Sequence, residues 1–154
     1  RRVLCRSAGL AWVEGLAAEI RLARNDAGGA IRILEAAQKQ FPSSRSVSYA
    51  LADARILGGR ADVAATELRR RIDNRSGDPR LWQLLSRAYA ALGQRTEQHR
   101  TQAEVYYLRG SLPAAIEQLE IARRANDGDF YTLSAVDARL RELKQRLLEE
   151  KRER

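Results

Sequence analysis

One histidine, one cysteine and five tyrosines are the residues, apart from the ordinary charges, through which this 154-residue chain could do chemistry. A zinc site needs three or four His, Cys, Asp or Glu ligands brought together. His99 has no cysteine and no second histidine at ligand spacing, and HExxH, which sets two histidines one helical turn apart, does not occur. Cys5 cannot close an internal disulfide and reads as a small helix hydrophobe. GxSxG, GxGxxG and GxxxxGKS/T are also missing, so neither a nucleophile elbow nor a phosphate cradle can be built. The expectation is a chain with no catalytic residue, no metal ligand and no cofactor.

Tyrosines are the remaining candidates, and two stand side by side in AEVYYLRGSLPAAIEQLEIA, Ala103 to Ala122. They could bind a ligand or wedge two helices apart, and the elements around them decide. Apolar residues recur at helical spacing in nearly every segment, and period-two runs of β-branched residues are missing, which predicts an all-α fold. Breakers divide the chain: Asn25-Asp26, Phe41 to Ser44, Gly58-Gly59, Ser76 to Pro79, Gly93, Gly110-Ser111 and Asn126 to Asp129. They leave about eight helices of ordinary length. Asp78 before Pro79 reads as an N-cap with proline in the first turn, and Ser111 before Leu112-Pro113 repeats the device.

Self-comparison finds a repeat. Ala30, Leu34 and Ala37 are echoed 34 residues later by Ala64 and Leu68, and Gly59 and Gly93 keep the same spacing. That period, with helix-turn-helix content, resembles tetratricopeptide repeats, in which small residues let two antiparallel helices approach while larger ones fill the gaps. Trp82, Leu85, Tyr89 and Gly93 fit the first helix of a repeat; Ala103, Tyr106 and Gly110 fit another, followed by Ala115, Leu119 and Ala122. Tyr106 then falls at a packing position, and Tyr107, about 100° further round the helix, falls toward the concave side. Gly93 to Gly110 is only half a repeat, so the segment 96–109 reads as the second helix of one unit or the first of the next. The expectation is one domain over 1–154, with repeat-like units at about 11–44, 45–78 and 79–95 plus 96–129, a superhelix interrupted at 93–110, and a longer capping helix over about 131–151. That last helix carries Val136, Leu140, Leu143 and Leu147 as an apolar seam, which could serve as a cap or as a contact for another domain or a second copy.

The formal charge of +8 raises the question of nucleic acid. The cations are nearly all arginine and lie among glutamates; the densest knot, Arg69, Arg70, Arg71 and Arg75, closes a predicted helix, where cations complement the dipole. No nucleic-acid partner is expected. No apolar run is long enough to span a bilayer, and none follows Arg1-Arg2, so that pair is not read as a twin-arginine signal. The absence of methionine and the opening RRVLCRSAGL suggest an excised segment or processed product.

AEVYYLRGSLPAAIEQLEIA and DARLRELKQR, Asp137 to Arg146, resemble the C-terminal region of bacterial periplasmic zinc metallopeptidases related to the β-barrel assembly-enhancing protease, more closely after Asp78 than before it. Those proteins join an HExxH domain to a C-terminal tetratricopeptide region. The resemblance implies a periplasmic, non-catalytic protein-binding domain. It also implies a zinc-bearing protease domain upstream of residue 1, and as partners that domain together with outer-membrane β-barrel precursors or assembly-machine subunits. The groove-facing offsets of the repeat fall on Trp12, Glu19, Tyr49, Asp53, Arg80, Gln83, Arg87, Arg100, Glu104 and Tyr107, a set of both charge signs and aromatics. It lacks the pattern that clamps a peptide's terminal carboxylate. Two other readings stand beside this one: a free-standing repeat scaffold of a secretion or pilus assembly, and a helical repeat whose affinity for nucleic acid falls steeply with salt.

Overall fold

Gly59, Gly93 and Gly110 take positive φ angles of 74°, 72° and 80°, each just beyond a helix end. Glycine reaches this left-handed region without a Cβ clash, and the chain then doubles back so that the next amide bonds a carbonyl five residues earlier. Those bonds run from Arg60 to Arg55 at 2.7 Å, from Gln94 to Tyr89 at 3.0 Å and from Ser111 to Tyr106 at 2.9 Å. Asn25, at φ 61°, makes the same turn, with Asp26 bonded to Arg21 at 2.9 Å.

The computed structural model describes the backbone of residues 2–153 and the side chains of residues 13–153. It is all-α: α1 Arg2–Ala23, α2 Ala27–Gln40, α3 Arg45–Leu57, α4 Ala61–Asn74, α5 Pro79–Ala91, α6 Arg95–Leu108, α7 Leu112–Arg124 and α8 Phe130–Arg152, with no strand among the described residues. Cys5 and Trp12 fall on α1, but their side chains lie outside the described residues.

A second kind of joint precedes α3, α5 and α8. There an extended residue, Ser44, Asp78 or Asp129, starts the helix, and its side chain accepts the amide of Val47, Arg80 or Thr132. Such caps satisfy amides that the first helical turn leaves without partners. Asp78 and Pro79 thus act as expected. Ser111 occupies the N-cap of α7 without a side-chain cap bond, because the Gly110 turn already sets the chain there. Tight turns and capped joints alternate from α1 to α6. Then a second tight turn follows, at Gly110, and the capped joint comes only before α8. This is the expected half-repeat irregularity.

Residues 1–64 form one compact unit and residues 65–154 another, the division falling inside α4. In the first unit α1, α2 and α3 touch one another around Ala18, Ala30, Ile31, Leu34, Ala37, Val47, Leu51 and Ala54. In the second, α5 packs on α6, α6 on α7 and α7 on α8. Here α6 also reaches α8, whereas α5 and α7 make no contact among the described residues. A core of Ala103, Leu112, Ala115, Leu119, Ala122, Val136, Leu140 and Leu143 joins α6, α7 and α8. The alanines are fully buried because helix axes close together leave no room for more than a methyl group. Each fully buried leucine of α8 contributes roughly 1.5–3 kcal/mol relative to exposure, so the seam alone anchors this helix firmly. Ala30, Leu34, Leu68, Leu85, Tyr89, Ala103, Ala115, Leu119 and Ala122 are buried as expected; Tyr106 is only half-buried, at the edge of the second core.

Candidate protein-binding site

On α6 the residues Glu97, Arg100, Glu104 and Tyr107 follow one another at spacings of three, four and three, which aligns them along a single face. That face lies beside α8. Glu104 accepts two bonds from Arg139, from Nε and from one terminal nitrogen, both at 2.8 Å, in a fork that fits a guanidinium to a carboxylate. The other terminal nitrogen of Arg139 reaches Glu142 at 2.8 Å. The guanidinium of Arg139 also lies over the Tyr107 ring, 4.4 Å from its centroid, and that of Arg146 lies at 5.4 Å. Arg146 donates to the Tyr107 hydroxyl. Burial works to lower the Arg139 pKa, but the hydrogen bonds and charges of Glu104 and Glu142 outweigh it, so the group is held protonated above the ordinary arginine range. Arg100 bonds Glu97 at 2.8 Å, and Glu97 accepts from the Thr132 hydroxyl at 3.3 Å.

Three of the predicted groove residues, Arg100, Glu104 and Tyr107, are therefore brought together, and Glu104 and Tyr107 are engaged by α8. Arg80, Gln83 and Arg87 form a separate row on α5, where Arg80 bonds Gln83 at 3.3 Å and Arg87 is exposed. In the first unit Glu19 is exposed on α1, while Tyr49 and Asp53 are half-buried one turn apart on α3, the helix that α1 touches. Trp12 lies outside the described side chains. Of the arginine knot, Arg70 and Arg71 both pair with Glu67, at 2.9 and 3.0 Å, which reduces its field.

A recess of about 260 Å³ opens where α6 and α8 begin, lined by Gln94, Thr96, Glu97, Asp127, Gly128, Asp129 and Thr132. Gln94 stands at the N-cap of α6 but makes no capping bond. Asp127, from the joint before α8, takes that role: its carboxylate accepts the Arg95 amide at 2.6 Å, the Thr96 amide at 2.8 Å and the Thr96 hydroxyl. Gly128 lets the joint come this close, since a Cβ there would stand 2.8 Å from Thr96 Cγ2. At the start of α8, Phe130 and Tyr131 stand in solvent. Sequence reading passed over both features. A glutamine at a cap position was the available hint for Asp127. For the aromatics it was their place five and six residues before Val136, which at about 100° per residue puts them well off the seam.

Among the described residues no three His, Cys, Asp or Glu side chains cluster as a metal would need, and His99 Nδ1 instead meets Gln118 Oε1 at 2.9 Å. No described helix is long and apolar enough to cross a membrane.

Comparison with known proteins agrees with this geometry. The tetratricopeptide repeat family matches residues 21–88. The chain is 34% identical over 143 residues, 93% of its length, to the beta-barrel assembly-enhancing proteases of Escherichia coli strain K12, Shigella flexneri and Escherichia coli O157:H7. It spans 29% of the length of these curated relatives.

Proposed function

We propose that this tetratricopeptide-repeat chain is the non-catalytic protein-binding domain of a bacterial envelope zinc metalloprotease. In this reading it holds outer-membrane β-barrel proteins, or subunits of their assembly machinery, in the periplasm so that a protease domain outside these residues can act on stalled clients. The observation that carries the reading is the 34% identity, extending over 93% of the chain, to proteases named for enhancing β-barrel assembly. The fold supports it, since stacked helical hairpins offer an extended surface to a polypeptide and bring no catalytic group of their own. In this reading the zinc is held by that protease domain. Barrel strands alternate polar and apolar residues. In the first unit Tyr49 suits their apolar positions and Glu19 their polar groups; in the second, Arg80 and Arg87 suit polar groups and backbone carbonyls, and neither set demands one sequence. Affinity is modest, because an extended client loses entropy when ordered.

Site-specific photocrosslinking in the whole protein tests this. A photoreactive residue is placed at Glu19, Tyr49, Arg80 or Arg87, with exposed Arg152 as the control. Adducts to barrel precursors or assembly subunits from the groove positions alone are the expected result; equal labelling from Arg152, or none from the groove, refutes it.

A further inference from the structure

Val13, Leu16 and Ile20 follow one another on α1 at spacings of three and four, which sets them on one face of the helix, and they are 53%, 43% and 48% exposed. The opposite face of α1 is the one that meets the first core, through Ala18 and, in part, Leu22. A helix that is apolar on both sides is built to be covered on both. α8 is different. Away from its apolar seam it exposes Ser134, Arg141, Gln145 and Glu149, the polar outer surface with which a solenoid ends.

The repeat says what fits the open face. The turn bonds Asp26 to Arg21, Arg60 to Arg55 and Gln94 to Tyr89 succeed one another at 34 residues, so each residue of α1 has a counterpart 34 places on in α3 and another 34 places beyond that in α5. Val13, Leu16, Ala17 and Ile20 correspond to Val47, Ala50, Leu51 and Ala54. Val47, Leu51 and Ala54 lie in the core that α3 shares with the hairpin before it, α1 and α2, and Ala50 packs against that core. In the second unit the same positions hold Leu81, Leu84, Leu85 and Ala88, all buried. The exposed residues of α1 are therefore those by which α3 seats itself on a preceding hairpin.

We propose that this face of α1 seats a further helical hairpin of the same protein, supplied by residues before Arg1 and packed on α1 as α1 and α2 pack on α3. One repeat is enough, since a single hairpin is what closes the matching face of α3. The chain spans 29% of the length of its curated relatives, which leaves room for such a hairpin. The surface is distinct from the client-binding positions, none of which lies on this stripe.

The test is the rate of maleimide labelling at Val13→Cys, Leu16→Cys or Ile20→Cys, each in a Cys5→Ser background, with Ala36→Cys on α2 as the exposed control. Three lengths are compared: the 154-residue chain, the chain with about 34 of its natural preceding residues, one repeat, and the whole protein. The control is expected to label alike in all three. The stripe cysteines should label fast in the 154-residue chain and about tenfold or more slowly in both longer forms, and hydrogen exchange of the α1 amides in the unsubstituted proteins should slow in parallel. Protection that arises only in the whole protein would assign the face to another domain. Protection of the 154-residue chain that grows with its concentration would assign it to a second copy. Either result, or equal labelling at all three lengths, overturns the proposal. Because the readout needs no client, it is decided separately from the client-binding reading, which the photocrosslinks test.

Discussion

Replacing Asp127 by alanine removes a cap that the helix it serves cannot replace. The carboxylate takes two backbone amides at 2.6 and 2.8 Å and the Thr96 hydroxyl. Gln94 at the cap position makes no bond, and the buried Thr96 hydroxyl keeps only the longer contact to the Ala122 carbonyl at 3.3 Å. Losing an N-cap acceptor costs about 0.5–2 kcal/mol. Three bonds to one charged acceptor place this site at the upper end, and water reaching the exposed loop keeps it from going higher, so about 2 kcal/mol is expected. For a chain of this size that lowers the melting temperature by about 4–8 °C. Asp127→Asn keeps an acceptor oxygen and should lose only a fraction of this. The effect depends on pH in a determined direction. Hydrogen bonds from Thr96, its hydroxyl foremost and its amide with that of Arg95 after desolvation is set against them, hold the Asp127 pKa below the usual 3.8. A depressed folded-state pKa gives stability that is present above the unfolded value and is lost as pH falls through the folded one. The gap between wild type and Asp127→Ala should therefore be full at neutral pH and close below 3.8. Differential scanning calorimetry across this range measures both. Equal melting of the two proteins at neutral pH, or a gap that widens in acid, would show that the cap carries no weight.

Gly128→Ala forces a Cβ to within 2.8 Å of Thr96 Cγ2, so it should displace the same joint and add little to Asp127→Ala when the two are combined, as urea denaturation of the pair would show. Ala115→Leu inserts three carbons at a fully buried helix contact, and overpacking of that kind costs roughly 1–3 kcal/mol; an unchanged melting temperature would mean the α6–α7 packing is misread. Glu104→Gln and Arg139→Gln should show a coupling of about 1–2 kcal/mol in a double-mutant cycle, between the values for exposed and buried pairs, since the two side chains are 17% and 23% exposed. Zero coupling would mean that this pair does not help to hold α8 on α6.

Most of the fold was legible because it is written in local terms. Glycines at 59, 93 and 110 announce left-handed turns, alanines at 30, 103, 115 and 122 announce close helix crossings, and the 34-residue period ties them together. Groove positions were less legible, since an offset within a repeat gives a direction but not what stands opposite. The offset assigns Tyr107 to the concave side, yet Arg139 and Arg146 lie against its ring, and these come from 32 and 39 residues further along. Asp127 was illegible for the same reason: it caps a helix that begins 32 residues before it. Phe130 and Tyr131 could have been flagged by their phase against the α8 seam, and only the structure gives their exposure.

Turn chemistry explains why α6 meets α8 as well as α5. A tight glycine turn makes a hairpin of the helices it joins, and a capped joint starts a new hairpin. Because tight turns stand at both ends of α6, at Gly93 and Gly110, this helix closes one hairpin and opens the next. The helix that opens the hairpin after it is α8, behind the capped joint at Asp129. Opening helices of successive hairpins meet, as α1 and α3 do in the first unit, so α6 meets α8 while α5 and α7 stay apart. It follows that Glu104 and Tyr107 face arginines supplied by their own chain, while Arg80, Gln83 and Arg87 keep a separate row on α5. One half-repeat thus engages two predicted binding residues, Glu104 and Tyr107, within their own chain.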